Sequence, residues 1–336
     1  MSAPLSSHRP VRWGIAATGK ISATLVDEIR RTPGCEVAAV GSRSEASAKR
    51  FAAEHGIGRA HGSYTALVED DEIDVVYVGA SHSAHFSIAR ACIDAGRPVL
   101  CEKPLTVDAN ETESLISLAR AKRVFLMEAM WMRCRPGFSR LKEVLSSGEI
   151  GDVRTLRAEL GFVPSKEDRR GRLFDPAQAG GALLDVVIYP LTLAYATFGP
   201  PAEVRALAHL SGGVDLSIAV AMSWASGKTA LLGGSLEASS DRTAAFAGSE
   251  GRLVLADPFH YMESFTVVPL SGEPRTENPP YEGVGYVHEI AEVVRCLRLG
   301  LTESPLVPLD DSLDVMRILD ECRRQIGLEY PASAFA

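Results

Sequence analysis

The stretch from Val11 to about Ala129 alternates between short apolar runs rich in β-branched residues and segments whose apolar residues lie three and four positions apart. This alternation is typical of βαβ units, in which helices connect parallel strands. The runs are apolar almost throughout, as expected of strands that helices cover on both faces. The pattern therefore predicts an α/β domain with a doubly wound parallel sheet.

The predicted elements divide into two groups along the chain. In the first group, strands are predicted at residues 11–17, 36–41, 74–79, 98–101 and 124–127, and helices at 21–31, 45–55, 84–95 and 109–121, with Asp108 as an N-cap. In the second group, a helix at 137–147 precedes alternating segments at 153–163, 204–211, 216–224 and 229–236, and helices at 287–299 and 312–326 end the chain. The alternating segments predict antiparallel strands of a single large sheet, joined by Gly-rich turns.

Length and composition narrow the class of protein. A chain of 336 residues is long enough for two domains, and we expect a boundary near residue 130 and a loose tail over residues 1–10. The net charge of -8 argues against nucleic acid as a partner. The six cysteines show no CxxC pair and no zinc-ligand spacing, so we expect no metal site and a reducing cytoplasm. Residues 1–10 lack the apolar core of a signal peptide.

The most apolar later stretch, residues 182–198, is interrupted by Asp185 and Pro190. A membrane span would require a longer run without such residues. We therefore expect a buried helix here and no membrane association.

A glycine-rich turn, Gly14-Ile-Ala-Ala-Thr-Gly19, follows the first predicted strand and opens the first predicted helix. In this context such a turn binds a dinucleotide: Gly14 permits the tight turn, the small Ala16 lets the backbone approach a pyrophosphate, and Gly19 allows the helix to pack closely on the strand. The helix N-terminus then attracts the phosphates. The predicted cofactor contacts here are Gly14, Ala16, Thr18, Gly19, Lys20 and Ile21. An ordinary strand-helix turn is the alternative.

Ser42-Arg43 stands at the end of the second predicted strand, where an acidic residue would accept from the ribose 2′-OH of NAD. Arg43 can pair with a 2′-phosphate instead, and the Ser42 hydroxyl can donate to it. The sequence therefore favours NADP(H), with NAD(H) possible and a solvated loop arginine as the alternative.

Glu102-Lys103-Pro104 follows the predicted strand at 98–101, at the edge of the sheet where ligands of α/β proteins bind. The proline biases Lys103 toward an extended backbone, so its ammonium can reach a cleft. We predict cofactor contacts for Glu102 and Lys103 and a catalytic role for Lys103. A surface lysine is the alternative.

Asp185 and Tyr189 are four residues apart in an otherwise apolar segment, and so lie on one face of a helix. Either they line a polar cleft, or Asp185 forms a structural ion pair and Tyr189 caps a core. Further cofactor contacts are predicted at Ser81, His85, Trp131 and Arg133. For His85, a histidine whose hydrogen bonds are satisfied at a helix N-terminus is an equal alternative. For Trp131 and Arg133, the alternative is packing at the domain junction.

These motifs together resemble the Gfo/Idh/MocA family of oxidoreductases over nearly the whole chain: the turn at 14–19, Glu102-Lys103-Pro104, and Gly180-Gly181-Ala-Leu-Leu-Asp185 with Tyr189. Many members carry histidine where this chain has Tyr189, so the tyrosine indicates the branch similar to dimeric dihydrodiol dehydrogenase and NADP-dependent D-xylose dehydrogenase. The resemblance implies an NAD(P)-binding Rossmann domain over 11–129. It also implies a substrate-binding and oligomerisation domain over 130–336, with a large, open, mostly antiparallel sheet that supports a homodimer or homotetramer.

The family also implies a reaction. A hydride passes between nicotinamide and a CH–OH or C=O group of a sugar or cyclic diol. Tyr189 transfers the proton, Lys103 holds the substrate oxygen and lowers the pKa of the phenol, which is about 10 in water, and Asp185 accepts from another hydroxyl. The alternatives are a ketoreductase for nucleotide-linked 3-keto sugars and a non-catalytic NADP(H)-sensing protein.

Overall fold

The computed structural model describes residues 9–331. Most of the tail expected over residues 1–10 therefore lies outside the described residues. The described chain packs as two units. The first contains the residues up to Trp131 together with Glu282–Ser312, and the second contains Met132–Tyr281 together with the described residues from Leu313.

The first unit contains a six-stranded sheet in which every neighbouring pair of strands is parallel. Its strands are β1 (Val11–Ala16), β2 (Cys35–Gly41), β3 (Arg59–His61), β4 (Val75–Val78), β5 (Val99–Glu102) and β6 (Leu126–Ala129). Their order is β3-β2-β1-β4-β5-β6, so the direction of winding reverses between β1 and β4. The doubly wound parallel sheet predicted from the sequence is confirmed.

Five helices connect these strands: α1 (Lys20–Arg31), α2 (Glu45–His55), α3 (Tyr64–Val68), α4 (His82–Asp94) and α5 (Ala109–Lys122). As predicted, the Asp108 side chain caps α5 by accepting the Glu111 N–H at 2.8 Å. The short β3 and α3 were not predicted. A strand of three half-buried residues and a helix of five residues leave no periodic pattern in the sequence.

The second unit is built around an eight-stranded sheet. Its strands are β7 (Val153–Gly161), β8 (Glu203–Ser211), β9 (Val214–Ser223), β10 (Thr229–Ser235), β11 (Ala244–Gly248), β12 (Gly251–Leu255), β13 (Phe265–Pro269) and β14 (Arg275–Glu277), in the order β14-β13-β12-β11-β7-β10-β9-β8. Only the β7–β10 pair is parallel among the pairs in the described sheet. The large, mostly antiparallel sheet is confirmed.

Helices α6 (Pro136–Ser146) and α7 (Ile188–Phe198) contribute to the core of the second unit. A π-helical turn, Leu183–Val187, leads into α7. The span Pro176–Phe198 is long and apolar enough to cross a membrane, but 72% of its most apolar window is buried inside the protein. Gly234 of β10 allows its close approach, because a Cβ there would overlap the Val187 side chain. The segment packs as a core helix.

The last two helices are α8 (Val287–Arg298) and α9 (Leu309–Ile326). The segment that carries α8 packs with the first unit, although the sequence places it in a second domain over 130–336. The contact partner is the buried Glu28 of α1, which accepts the backbone N–H groups of Val284 at 3.0 Å and Tyr286 at 3.3 Å. A buried carboxylate holds such donors strongly, so Glu28 fixes the start of this returning segment, while buried apolar residues of α8 such as Ile290 and Val293 add to its packing.

Candidate active site

The reversal of strand order between β1 and β4 marks the candidate dinucleotide site. The connections that leave these two strands depart to opposite sides of the sheet, which opens a crevice at their carboxyl ends. Helix α1 begins directly after β1, and helix α4 begins directly after β4. The N-termini of both helices therefore flank this crevice.

The helix N-termini of the first unit differ in their caps. The side chains of Ser44, Ser63 and Asp108 cap α2, α3 and α5 by accepting backbone N–H groups. Neither Gly19 before α1 nor Ser81 before α4 makes such a bond, and neither helix has an acidic residue in its first turn. A helix N-terminus without a side-chain cap or an acidic first turn suits an anionic ligand such as a pyrophosphate. This cap pattern fits the dinucleotide predicted from the sequence.

The glycines of the turn have different physical roles from those expected. Gly14 lies within β1, where a Cβ would stand 2.7 Å from Cδ1 of Ile73, so close packing rather than a tight turn requires glycine. The positive φ of the turn, 106°, falls at Ala17. A Cβ at Gly19 would meet nothing within 4 Å, so Gly19 faces open space rather than the strand. That open space, at the start of α1, is where a phosphate would approach the backbone.

The other predicted contacts at this turn, Thr18, Lys20 and Ile21, are exposed or half-buried, whereas Ala16 is buried. Ser42 is nearly buried at the end of β2, and its backbone N–H donates to the His61 carbonyl at 3.1 Å. Arg43 is exposed on the following loop, within hydrogen-bonding reach of the Tyr64 phenol. Arg43 is therefore accessible to a ligand but is not simply a solvated loop arginine.

The Glu102-Lys103-Pro104 segment leaves the carboxyl end of β5, the strand next to β4. Glu102 is buried, and its carboxylate accepts the Tyr77 hydroxyl at 2.8 Å and the Lys103 backbone N–H at 3.1 Å. Lys103 is half-buried, and its bond to Pro104 is cis. Glu102 thus fixes the backbone that presents Lys103, and its side chain has structural partners rather than an exposed face toward a cofactor.

His85 is buried on α4 and links the two loops at this edge of the sheet. Its Nδ1 lies 2.8 Å from the Pro104 carbonyl oxygen, and its Nε2 lies 3.1 Å from the Ala80 carbonyl oxygen. Both ring nitrogens therefore contact backbone, which favours the alternative of a satisfied structural histidine. A role in lining the cofactor pocket stays a prediction.

Trp131 and Arg133 follow β6 in a short 3-10 helix, and both side chains are buried. The Trp131 ring packs against Tyr286, with ring centroids 5.2 Å apart. This packing favours the structural reading of Trp131, and its contact with a cofactor stays a prediction, as does that of Arg133.

In the second unit, the π-helical turn and α7 carry the predicted pair of polar residues. Asp185 is 10% exposed and forms an ion pair with Arg172 at 2.8 Å, which is the structural alternative that the sequence left open. The ring of Tyr189 packs on His260, with centroids 4.8 Å apart, and the residue is 7% exposed. Irregular π turns often occur at functional sites, so this local geometry is compatible with a catalytic Tyr189.

Asp215 of β9, which the sequence did not single out, holds the segment that leads to Asp185 and Tyr189. It is fully buried, and its Oδ2 accepts the Leu183 N–H at 2.6 Å. Burial raises the pKa of this carboxyl to about 7. Gly181 has a φ of 114°, and a Cβ there would overlap Asp215 Oδ1. The glycine pair before the helix is the sequence signal of this contact.

The described residues, 9–331, contain no group of three or more His, Cys, Asp or Glu side chains that could hold a metal ion.

Comparisons with known proteins extend these observations. Residues 11–130 match the family model described as an oxidoreductase family with an NAD-binding Rossmann fold, and residues 138–254 match the GFO/IDH/MocA C-terminal domain. The trans-1,2-dihydrobenzene-1,2-diol dehydrogenase of Bos taurus is 36% identical over 332 residues, which cover 96% of this chain and 98% of that protein. Its namesake from Homo sapiens is 35% identical, with the same coverage.

Solved structures give the same result for the fold. A 3-ketoreductase from Actinomadura kijaniata, determined with NADP and TDP-benzene, matches with a TM-score of 0.85 and 26% identity, over 95% of this chain and 98% of that chain. An aldose-aldose oxidoreductase from Caulobacter crescentus matches with a TM-score of 0.85 over 94% of this chain and 97% of that chain, and its 22% identity shows the fold alone.

Proposed function

The chain belongs to the Gfo/Idh/MocA family of oxidoreductases, and we propose that it transfers a hydride between NADP(H) and a CH–OH or C=O group of a cyclic diol or sugar. The observation that carries this proposal is the edge of the first sheet. The N-termini of α1 and α4, which have no side-chain caps, flank the crevice where the strand order reverses between β1 and β4. Lys103 follows β5, the strand next to β4. The 36% identity to a diol dehydrogenase supports the cyclic diol as substrate class.

In the proposed reaction, Tyr189, Lys103 and Asp185 each have a separate role. A bound nicotinamide supplies the acceptor or donor of the hydride. When an alcohol is oxidised, the Tyr189 phenol oxygen takes the proton of the reacting hydroxyl, and in the reverse direction the phenol donates it to the carbonyl oxygen. The Lys103 ammonium donates a hydrogen bond to that substrate oxygen and stabilises negative charge on it. Asp185, oriented by its ion pair with Arg172, accepts a hydrogen bond from a second hydroxyl of the substrate.

The preference for NADP(H) rests on Arg43. Its exposed guanidinium lies just after the end of β2, and this position is not occupied by an acidic residue. A guanidinium pairs well with a 2′-phosphate. The ketoreductase from Actinomadura kijaniata, which was determined with NADP, supports the same assignment.

Replacing Arg43 with alanine is expected to lower the ratio of kcat/KM with NADP+ to that with NAD+ by roughly 10- to 100-fold, since a hydrogen bond to a charged group contributes about 1.5–3 kcal/mol. Steady-state kinetics with both cofactors measure this ratio. The matched control is Arg50→Ala, an exposed arginine of α2 in an i,i+4 pair with Glu54, which should leave the ratio unchanged. An unchanged ratio in Arg43→Ala would contradict the NADP assignment.

A spectrophotometric panel tests the proposed function itself. Cyclic diols, aldoses and nucleotide-linked 3-keto sugars are offered with NADP(H) and NAD(H), and turnover is followed at the nicotinamide absorbance. Diol or aldose turnover supports the proposal, whereas selective reduction of nucleotide-linked keto sugars favours the ketoreductase alternative that the Actinomadura structure suggests. Tight NADPH binding without turnover across the panel would favour a sensing protein instead.

The outer face of the second sheet supports a further part of the proposal, a homo-oligomer. Leu207 of β8 is 80% exposed and Leu231 of β10 is 55% exposed. Between them on β9 lie the small residues Ala219, which pairs with Leu207, and Ala221, which pairs with Leu231. Exposed Arg205 and Arg157 flank this patch on the same face. A patch of exposed apolar and small side chains fits a second copy of the same sheet, because the partner presents the same residues.

Leu207→Asp is expected to shift the protein from dimer or tetramer toward monomer, because each copy would bury an unpaired carboxylate in the interface. Sedimentation velocity gives the oligomeric state. Leu270→Asp is the matched control: Leu270 is also 80% exposed but follows β13 near the opposite end of the sheet. If Leu207→Asp and Leu270→Asp sediment alike as oligomers, the face formed by β8, β9 and β10 is not the interface.

We also propose a cytoplasmic location. The six cysteines form no disulfide within the described residues, and five of them are buried. Thiols of this kind persist in a reducing compartment. Fractionation of the expressing cell is the direct test.

A further inference from the structure

The peptide between Gly180 and Gly181 leads into the helix that carries Asp185 and Tyr189, and three segments of the second unit meet on it. Both glycines are buried, and Gly181 has a φ of 114°. A peptide with glycine on both sides has wide conformational freedom, because neither residue has a Cβ that restricts its backbone. Such a peptide can turn over unless the surrounding segments hold it.

The loop before this peptide holds it from the first side. The Gly181 N–H donates to the Leu173 carbonyl oxygen at 2.9 Å. A Cβ at Gly180 would overlap the Arg172 carbonyl oxygen, so this close approach requires glycine. The side chain of Arg172 is also the ion-pair partner of Asp185. The loop that orients Asp185 through its arginine therefore depends on the glycine peptide through its backbone.

Strand β9 holds the peptide from the second side. The buried Asp215 carboxylate accepts the Leu183 N–H at 2.6 Å, and a Cβ at Gly181 would overlap the same carboxylate. Leu183 is the first residue of the π-helical turn that contains Asp185. The position of this turn is therefore set directly after the glycine peptide.

The C-terminal segment supplies the third contact. The Tyr330 hydroxyl donates to the Gly180 carbonyl oxygen at 3.1 Å. Gly327, with a φ of 67°, turns the chain after α9, and the following Leu328 is buried. The Tyr330 ring lies beside the Arg323 guanidinium, whose carbon is 5.1 Å from the ring centroid. The ring is thus held in place by contacts that do not involve its hydroxyl.

The phenol of Tyr330 is suited to act as a constant donor. Burial first, and the Asp215 carboxylate second, raise its pKa above the ordinary value of about 10, so it keeps its proton at neutral pH. With Leu173 on the N–H and Tyr330 on the carbonyl oxygen, both polar groups of the glycine peptide have a partner. Turning the peptide over would break both hydrogen bonds.

We propose that Tyr330 is a positioning residue for the pair formed by Arg172 and Asp185: its hydroxyl locks the Gly180–Gly181 peptide, and the locked peptide keeps the two side chains aligned. Asp185 is then held where it accepts a hydrogen bond from a second hydroxyl of the substrate. The proposal rests on the proposed function only for this role of Asp185. Tyr330 acts through the peptide and not through contact with the substrate.

Two variants of Tyr330 separate its hydroxyl from its ring. Tyr330→Phe removes the donor and keeps the ring beside Arg323, whereas Tyr330→Leu removes both. The matched control is Tyr195→Phe, which removes the hydroxyl that donates to Asp314 of α9 at 2.6 Å. Both phenylalanine variants lose one phenol hydrogen bond. A difference between them therefore reports where the bond lies rather than the loss of a bond as such.

The first readout is amide hydrogen exchange over residues 180–184 of the full-length protein. Exchange is expected to be about three- to tenfold faster in Tyr330→Phe, the effect of one neutral hydrogen bond, and unchanged in Tyr195→Phe. This measurement needs no substrate, so its result stands even if the proposed reaction fails. A wild-type exchange rate in Tyr330→Phe would overturn the lock. If only Tyr330→Leu departs from the wild type, the ring acts rather than the hydroxyl, and the proposal is wrong.

The second readout compares a cyclic diol with the corresponding cyclic alcohol that has one hydroxyl. Only the diol offers a second hydroxyl to Asp185. Tyr330→Phe is expected to lower the ratio of kcat/KM for the diol to that for the alcohol about three- to tenfold, with the KM for NADP+ unchanged. A loss of stability alone would lower both values equally. An unchanged ratio would therefore overturn the positioning role.

The same ratio in a double variant tests the route of the effect. Arg172→Ala breaks the ion pair through which Tyr330 acts, so adding Tyr330→Phe to it is expected to lower the ratio no further. Additive losses would show that Tyr330 acts by another route and would contradict the proposal. If the wild type oxidises neither compound, the proposed function fails, and the exchange experiment alone decides whether Tyr330 locks the peptide.

Discussion

Replacing Tyr189 with phenylalanine is expected to lower kcat/KM by roughly 10²- to 10⁴-fold, the usual contribution of a positioned acid or base, while NADPH binding persists. The substitution removes the oxygen that exchanges the substrate proton and leaves the ring that packs on His260. Folding should therefore be little affected. Lys103→Met is expected to cause a loss of similar size, because it removes the charge that stabilises the substrate oxygen.

Matched controls exist for both changes. Tyr195 lies on the same helix α7, is equally buried and donates its hydroxyl to Asp314 at 2.6 Å, so Tyr195→Phe removes a structural hydrogen bond without touching the reaction. Lys122 is a partly exposed lysine that pairs with Asp94, and Lys122→Met removes a lysine outside the site. Kinetics and NADPH titrations on all four variants decide the matter. Near-normal turnover in both Tyr189→Phe and Lys103→Met would end the proposed mechanism.

The second large effect concerns stability rather than turnover. Burial raises the pKa of Asp215 to about 7 in the folded protein, from an ordinary value near 3.8. The folded state therefore binds the proton more tightly than the unfolded state, and the stability associated with this proton is lost as the pH rises from about 4 through about 7. By this linkage the wild type should lose roughly 2–3 kcal/mol between pH 5 and pH 8 from this group alone.

Asp215→Asn removes this titration. The amide oxygen can still accept the Leu183 N–H, so the stability of the variant relative to the wild type is expected to rise by roughly 2–3 kcal/mol between pH 5 and pH 8, as the wild type alone loses its proton-linked stability. Urea unfolding at several pH values measures the difference. The control is Glu277→Gln in the same unit: the Arg140 hydrogen bond lowers the pKa of Glu277 to about 2, so its contribution is constant over this range. A constant difference between Asp215→Asn and wild type would contradict the raised pKa.

The parallel sheet was predictable because its signal is local. Helix α2 has the predicted bounds, Glu45–His55, and β1 ends one residue before the predicted end. Buried parallel strands and amphipathic helices each leave a period in the sequence, and no contact between distant residues is needed to detect it. The turn at residues 14–19 was located for the same reason, since a strand, a glycine pattern and a helix follow one another in the chain.

The physical roles within that turn were not predictable. Whether Gly14 serves a turn or a close approach depends on Ile73, which lies 59 positions further along the chain. Asp215 is one polar residue in an alternating strand until its contact with Leu183 is known. In the same way, the spacing of Asp185 and Tyr189 predicted a shared face, but the partner Arg172 comes from a segment of short 3-10 turns without periodicity. Contacts between distant segments decide these roles.

The return of residues 282–312 to the first unit bears on how the protein is made. The ribosome delivers the six parallel strands first, but helix α8 and the donors that satisfy the buried Glu28 are synthesised roughly 150 residues later. Until then the buried Glu28 of α1 in a nascent chain lacks these donors. The nucleotide-binding half of this protein therefore reaches its final packing only near the end of translation.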